Sequence, residues 1–477
     1  MEQPAKIEEL HTLLHTLIER LSVLEAENVS LRQENEKLRQ ENSDLRVRLS
    51  MDSGNSHKPP SSDGYKKKSI KSMLPKAEGK QQGGQKGHTG KSLKMVAIPD
   101  KVEICLPIAC QCCGRHFAGK DCIEEFAVGR QVFDVPCPRL EVTEYRLGVV
   151  CCCGVRQQGS FPRSVAAPVQ YGARALSLAS MLNVDFRLPF AKISELFADI
   201  YGASLNESTI VSGNLELYEC MEQVEENIKA GLSKSEVAHF DETGMRVAGS
   251  LHWFHAACSK SLCYLFVDAH RGEKALKSPS SILPNFRGWA VHDCWVSYFQ
   301  MEQSRHALCN AHLLRELQAL VEQGSLWAEK MKTLLLDLYK ASDHGRGVVA
   351  DFDTWQHLYE LICSEAHKQE PPPLARPRGK PKNSKGRNLL NRLRTYQEGV
   401  LAFAQVKAVP FTNNTAEQDL RVVKIKQKVS MCFRTLKGAQ VYARMQGVIK
   451  TIRKQGLNLW QTLTNMLTAN TTQIVYT

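Results

Sequence analysis

Three acidic residues stand in settings that suit metal-assisted chemistry. Asp241 lies in AHFDETGMRV and Asp293 in GWAVHDCWVSYF, each at the close of a short apolar run that reads as a strand. Glu417 lies in TNNTAEQDLRVVKIKQK, at the start of a predicted helix whose expected N-cap is Thr415, after the Asn413–Asn414 turn. Two strand-end carboxylates and one helix-borne carboxylate suit two-metal phosphoryl transfer. Such oxygen donors hold divalent ions that activate one oxygen and stabilise the leaving one. Neighbouring acids fit less well. Asp268 begins a polar turn, and Asp419, two residues past Glu417, falls on another helix face. On residues alone, chance stays open: the chain has 50 acidic residues, and a single Asp is most often a turn or cap residue.

Certain elements must position these groups. EVAHFDETGMRVAG, SLHWFHAACS and SLCYLFVDAH read as a three-strand meander. A helix is expected near Arg271–Ser280, then the strand RGWAVHD. The order β-β-β-α-β, with carboxylates on the first and fourth strands, predicts an RNase H-like α/β core over residues 235–435. Asp241 and Asp293 would lie on neighbouring strands. A mostly helical insertion, residues 310–404, is broken by PPPLARPRGKPKNSKGRN and precedes the helix of Glu417.

Composition bounds the rest. At 477 residues the chain is long enough for several domains. No apolar run reaches membrane-spanning length and no signal peptide opens the chain, so a soluble intracellular protein is expected. The net charge of +12 favours a polyanionic partner. Sixteen cysteines in such a chain point to metal ligands and buried thiols rather than disulfides.

The first fifty residues carry leucines every seven positions: Leu10, Leu17, Leu24, Leu31, Leu38 and Leu45. With these at d, the a positions include Asn28, Asn35 and Asn42, which fix register and disfavour higher oligomers. The g–e′ pairs Arg20–Glu25, Glu27–Arg32, Glu34–Arg39 and Glu41–Arg46 all attract in a parallel pair. A parallel homodimer through a 1–50 coiled coil is the expectation; a long helix packed on its own chain is the alternative. Residues 51–99 follow as a basic, Ser/Gly/Pro/Lys-rich flexible linker.

Residues 100–165 form a cysteine module. Cys110 and Cys113 make a C-x-x-C-G knuckle, and Cys151-Cys152-Cys153-Gly154 supplies a second cluster about forty residues on. A structural zinc-ribbon-like site is expected, held by Cys110, Cys113, Cys151 and Cys153, with the choice among residues 151–153 open. Cys105, Cys112, Cys122 and Cys137 read as ordinary thiols. Residues 166–234 are helical in pattern. A helix Phe190–Tyr201, ended by Gly202, followed by one capped by Asn206 or Ser208, has the layout of a DNA-reading helix-turn-helix or of a plain helical hairpin. Residues 436–477 read as a C-terminal helical region. The fold class is thus multidomain α+β.

KPPSSDG, GGQKGHTG, the paired cysteines, DETG, HDCWVSYF, CNAHLLREL, FTNNTAEQDLR and KQKVSMCFRTLKGA occur here in one order. In this set and order the chain resembles the insertion-sequence-sixty-six family of bacterial DDE transposases over nearly its whole length. The N-terminal helices and the compact second cysteine cluster are where it departs. The resemblance implies DNA cleavage and strand transfer, with Asp241, Asp293 and Glu417 as the catalytic triad holding two Mg²⁺ ions, or Mn²⁺ in their place. It implies terminal inverted repeats and target DNA as partners, accessory proteins of the same element, no membrane, and a bacterial cytoplasmic, nucleoid-associated location. Beside such a site Arg421, Lys424 and Lys428, at helical spacing, would meet phosphates; solvated surface charge is the alternative. Cys309 and His312 resemble a C-x-x-H element following the second Asp. They would share a helix face and either position DNA or hold the insertion, or simply pack, and they are not assigned as metal ligands. The rival function is a catalytically inactive, zipper-dimerised DNA-binding protein.

Overall fold

The computed structural model describes residues 3–50, 93–117, 128–162, 164–373, 383–470 and 472–476. The linker motifs KPPSSDG and GGQKGHTG, Cys122, and the middle of the Pro-rich break lie outside the described residues. The described residues fall into two compact units. One draws on Met1–Pro75, Glu225–Ala443 and Val475–Thr477; the other on Lys76–Val224 and Arg444–Ile474.

A single helix, α1 (Gln3–Ser50), occupies the N-terminus. Leu, Glu and Arg are its commonest residues, all strong helix formers. Leu17, Leu24, Leu31, Leu38 and Leu45 are each more than half exposed, so the heptad stripe is uncovered in one chain.

In the second unit a hairpin forms from β1 (Val149–Cys152) and β2 (Val155–Gln158). Its two-residue turn, Cys153–Gly154, has positive φ at both positions, as a right-twisted hairpin requires. Three helices follow, α2 (Ala173–Val184), α3 (Phe190–Tyr201) and α4 (Glu207–Cys220), and α5 (Glu222–Lys234) belongs mostly to the first unit. The bounds of α3 are those expected from sequence, and Gly202 ends it at φ 66°. Of the two candidate caps for α4, Asn206 is the one used: it accepts from the Ser208 N–H. The α3–α4 pair packs through Ile193, Phe197, Leu205 and Ile210. A buried Asn183–Asn214 hydrogen bond of 3.0 Å joins α2 to α4.

The first unit is built on a five-stranded sheet: β3 (Val237–Val247), β4 (Ser250–Cys258), β5 (Cys263–Asp268), β6 (Trp289–His292) and β7 (Arg305–Leu308). Its spatial order is β5-β4-β3-β6-β7, antiparallel through β3 and parallel from β3 onward. The meander matches the sequence expectation, but two features depart from it. The helix expected over Arg271–Ser280 is only a turn, α6 (Glu273–Leu276). β7 was not expected: four residues are too short to show a period, and its C-terminal half, Ala307–Leu308, is buried.

The insertion comprises α7 (Asn310–Val321), α8 (Leu326–Ala341), α9 (Phe352–Gln369), α10 (Lys385–Thr395) and α11 (Gln397–Gln405). Its core of Trp327, Tyr359, Leu393 and Phe403 is continuous with Trp289, Val291 and Leu308 of the sheet. It therefore buttresses β6 and β7 from one side. Next, α12 (Asn414–Ser430) lies over β3 and β4. After it, Phe433 donates to the Arg246 carbonyl and stacks on Phe254, ring centres 5.6 Å apart. The chain closes with α13 (Leu436–Lys454) and α14 (Leu459–Leu467), the latter packed on α2 with Trp460 Nε1 donating to the Arg174 carbonyl. No helix among the described residues is long and apolar enough to cross a membrane.

Candidate active site

The β3–β6 register does the first positioning step. Val237 pairs with Trp289, Ala238 with Ala290 and His239 with Val291. Continued two residues, that parallel register sets Asp241 beside Asp293, just past the end of β6. In parallel strands, paired positions point to the same face. The Asp293 loop is held from within: its carboxylate accepts the Trp295 N–H at 3.3 Å, and its carbonyl lies 3.0 Å from His292 Nδ1. His292 is fully buried, and burial lowers its imidazole to about 3, so it is neutral and donates to that carbonyl.

Glu417 arrives on the first turn of α12. The sequence expectation of Thr415 as N-cap is corrected: the N-cap is Asn413. Its side chain makes no cap hydrogen bond because it is used across the structure. Asn413 Nδ2 donates to the Phe240 carbonyl at 2.8 Å, and Oδ1 lies 2.9 Å from His239 Nδ1. The backbone N–H of Asn413 meets Cys309 Sγ at 3.1 Å. All three groups are buried. The start of α12 is thereby fastened to β3 one residue before Asp241.

Cys309 and His312 gather round the same carboxylate. Cys309 Sγ is 4.0 Å and His312 Nδ1 3.9 Å from Glu417 Oε1, and the three donor atoms lie within 4.8 Å of one another. Burial pushes the Cys309 thiol up to about 12, so it is a neutral thiol here.

Electrostatics at the site are dominated by crowded negative charge. Burial raises the Asp241 carboxyl well above its ordinary value, and repulsion from Glu242, Asp293 and Glu417 adds to that. Burial likewise raises Glu417; Arg315 and Arg421 oppose the shift, and Asp293 adds to it. Clustered, half-buried oxygen donors that repel one another fit hard divalent cations.

The basic residues of α12 divide. Arg421 is exposed and faces Glu417 electrostatically. Lys424 donates to the Gly244 carbonyl at 2.7 Å, with its ammonium lowered by burial. Lys428 is exposed.

Sequence reasoning missed a fourth carboxylate. Glu242, beside Asp241, is buried and holds Arg271 Nε at 2.8 Å through Oε1. Its Oε2 accepts from the Tyr298 hydroxyl at 2.6 Å. Burial and the Glu242 charge keep Tyr298 protonated. This bridge ties β3 to the segment after Asp293. The DETG string carried the only signal for it, and its partners sit 29 and 56 residues away.

The cysteine module presents two separate features. In the knuckle, Cys110 N–H donates to the Arg115 carbonyl and Gly114 N–H to the Cys110 carbonyl, at 2.8 and 3.0 Å. Backbone N–H groups of Cys113 and then Cys112 lower the Cys110 thiol. Cys151 and Cys152 sit on β1, and Cys153 at the hairpin turn. Among the described residues, no group of three or more close metal donors includes these thiols.

Residues 168–441 match the family described as Transposase IS66 family, and residues 1–94 match a Family of unknown function (DUF6444). No curated protein matches the chain. The first match spans more than half of the 477 residues and runs from α2 through the sheet, the insertion and α12. The chain belongs to the IS66 family of transposases.

Proposed function

We propose that this transposase cuts and joins DNA at a centre made of Asp241, Asp293 and Glu417, on an RNase H-like sheet. The observation that carries this reading is the parallel β3–β6 register, which sets the two aspartates side by side, with Glu417 brought up to them by Asn413. The strand order, with three antiparallel strands followed by two parallel ones, supports the RNase H-like assignment. Asp241, Asp293 and Glu417 would hold two Mg²⁺ ions, or Mn²⁺. When bound, these would lower the energy of the attacking and leaving oxygens of an in-line phosphoryl transfer. The residues themselves set the spacing of the oxygen donors, and Asn413 and the Glu242 bridge hold that spacing.

The substrates proposed are the element's terminal inverted repeats and a target duplex. The α3–α4 helix pair would read the repeat, while Arg421 and Lys428 would meet phosphates near the site. A structural Zn²⁺ would draw on Cys110, Cys113, Cys151 and Cys153, and α1 would pair two copies in parallel. Accessory proteins of the same element and a bacterial, nucleoid-associated location complete the reading.

The test is cleavage and joining of a duplex carrying the inverted repeat that flanks the gene. Asp241→Asn, Asp293→Asn and Glu417→Gln keep side-chain shape but each removes a charge that binds the ions. Losing several kcal/mol of transition-state stabilisation corresponds to a fall of about a thousandfold or more, with DNA binding retained. Strand transfer at the wild-type rate in any of the three variants would refute the triad. Binding without cleavage by the wild-type chain would mark the inactive DNA-binding alternative.

A further inference from the structure

Arg271 lies in the turn between β5 and α6, outside the carboxylate triad. Its guanidinium carbon is 4.9 Å from the Trp253 ring centre and 4.3 Å from that of Trp295. Its Nε donates to Glu242 Oε1, and the Glu242 side chain is only 1% exposed. A flat cation in contact with two indoles, fixed at one edge by a buried carboxylate, is oriented before any ligand arrives. Yet the Arg271 side chain is 42% exposed. A guanidinium has five N–H donors, and Nε supplies one. The two terminal nitrogens make no hydrogen bond among the described residues.

The place of this group matters. Glu242 adjoins Asp241 on β3, and Trp295 lies two residues past Asp293 with its N–H on that carboxylate. Successive side chains of β3 point to opposite faces, so Arg271 is linked to the aspartate pair through Trp295 rather than placed against it. Two indoles already contact the guanidinium, and its remaining groups are N–H donors. The remaining edge is a planar fork of donors, which matches two oxygens of a phosphodiester. A phosphate approaching three carboxylates also meets repulsion that a fixed cation nearby would offset.

We propose that Trp253, Arg271 and Trp295 form a built binding site for a DNA backbone phosphate next to the one being cut. This rests on the reading of Asp241, Asp293 and Glu417 as the DNA-cleaving centre. Arg271 grips the strand, while Glu242 and the two indoles orient the grip.

The experiment measures binding of a fluorescein-labelled duplex to the full-length chain by anisotropy over a range of KCl concentrations. Asp241→Asn is the background, so that the DNA stays intact. Arg271→Gln removes the charge and leaves a shorter, uncharged polar side chain. It should weaken binding about tenfold and reduce the slope of log affinity against log salt by about one, as loss of one phosphate contact does. Arg271→Lys should keep the slope but lose part of the affinity, because a point charge replaces the fork. Thermal melting of each variant separates a fold defect from a lost contact, since a defect lowers the melting temperature without removing one unit of salt slope. Unchanged affinity and slope in Arg271→Gln, while the parent binds DNA, would overturn the proposal. A parent that binds DNA normally while the wild type fails to cleave would sink the catalytic reading alone, and the Arg271 slope would still decide the contact. A parent that binds no DNA would overturn both.

Discussion

Asp241 and Glu417 hold their protons more tightly than free carboxyls do, Asp241 through burial and repulsion from Glu242, Asp293 and Glu417, Glu417 through burial and Asp293. The sign of the consequence follows from linkage. A carboxyl raised in the folded state binds more protons there than in the unfolded chain, so stability falls as pH rises through the window between the unfolded and folded values. In EDTA the melting temperature should therefore drop as pH rises above the ordinary carboxylate range, about 4. Mg²⁺ should reverse the drop, because cations relieve the repulsion. Asp241→Asn removes one of the charges and should flatten the profile in EDTA. A profile identical in wild type and Asp241→Asn would show that this crowding is not felt. Asp293 and Glu417 were legible in sequence because one follows the end of a strand and the other opens a helix; Asp241, expected at a strand end, lies within β3, because the strand runs on through Thr243 and Gly244 to Val247 paired with β4. Glu242, Arg271, Tyr298 and Asn413 were not legible. Their roles come from pairing across 29 to 174 residues, which no local pattern encodes.

At the scale of elements, the start of α12 hangs on one buried amide. Asn413→Ala removes the donor to the Phe240 carbonyl and the Oδ1 contact with His239 Nδ1, and should cost about 1–3 kcal/mol. It should also loosen Glu417 relative to Asp241 and weaken Mn²⁺ binding, read by calorimetry on the variant and on wild type. Asn413→Asp keeps an acceptor for His239 but loses the donor to Phe240, so an intermediate loss is expected. Equal metal affinity in Asn413→Ala would mean that α12 is held by its apolar face alone. That face, Ala416, Leu420 and Val423, could be read from helical spacing, as could the bounds of α3 and its Gly202 stop. The cysteine module makes a separate prediction. Cys110→Ser or Cys153→Ser should release about one zinc per chain and unfold the local structure, since binding and folding are coupled at such sites. Elemental analysis of the purified wild-type chain decides it: no zinc, no ribbon. The two thiol pairs were plain in sequence, because Gly114 and Gly154 mark tight turns beside them with φ of 71° and 77°. Which thiols meet an ion was not, because a ligand set is a matter of three-dimensional approach rather than spacing.

For the whole molecule, the decisive surface is the leucine stripe of α1. A helix of 48 residues with Leu17, Leu24, Leu31, Leu38 and Leu45 exposed buries that stripe only against a partner. The charges choose which partner. In a parallel pair of identical helices Arg20–Glu25, Glu27–Arg32 and Glu34–Arg39 would attract, and Asn28, Asn35 and Asn42 would meet their own copies at a positions. A peptide covering Met1–Ser50 should therefore form a parallel two-stranded coiled coil by itself. Replacing the three asparagines with Ile should raise its melting temperature and broaden its oligomer state, because burial improves while the polar constraint on register and strand number is gone. In the full transposase, deleting residues 1–50 should weaken the pairing of two element ends more than the binding of one end, since a dimer raises the effective concentration of the second site without adding a contact to the first. Sedimentation equilibrium on the peptide and a two-end bridging assay on the full chain read these effects. A peptide that stays monomeric at high micromolar concentration, or terminal cross-links that report antiparallel strands, would overturn the parallel dimer and leave the stripe to a different chain.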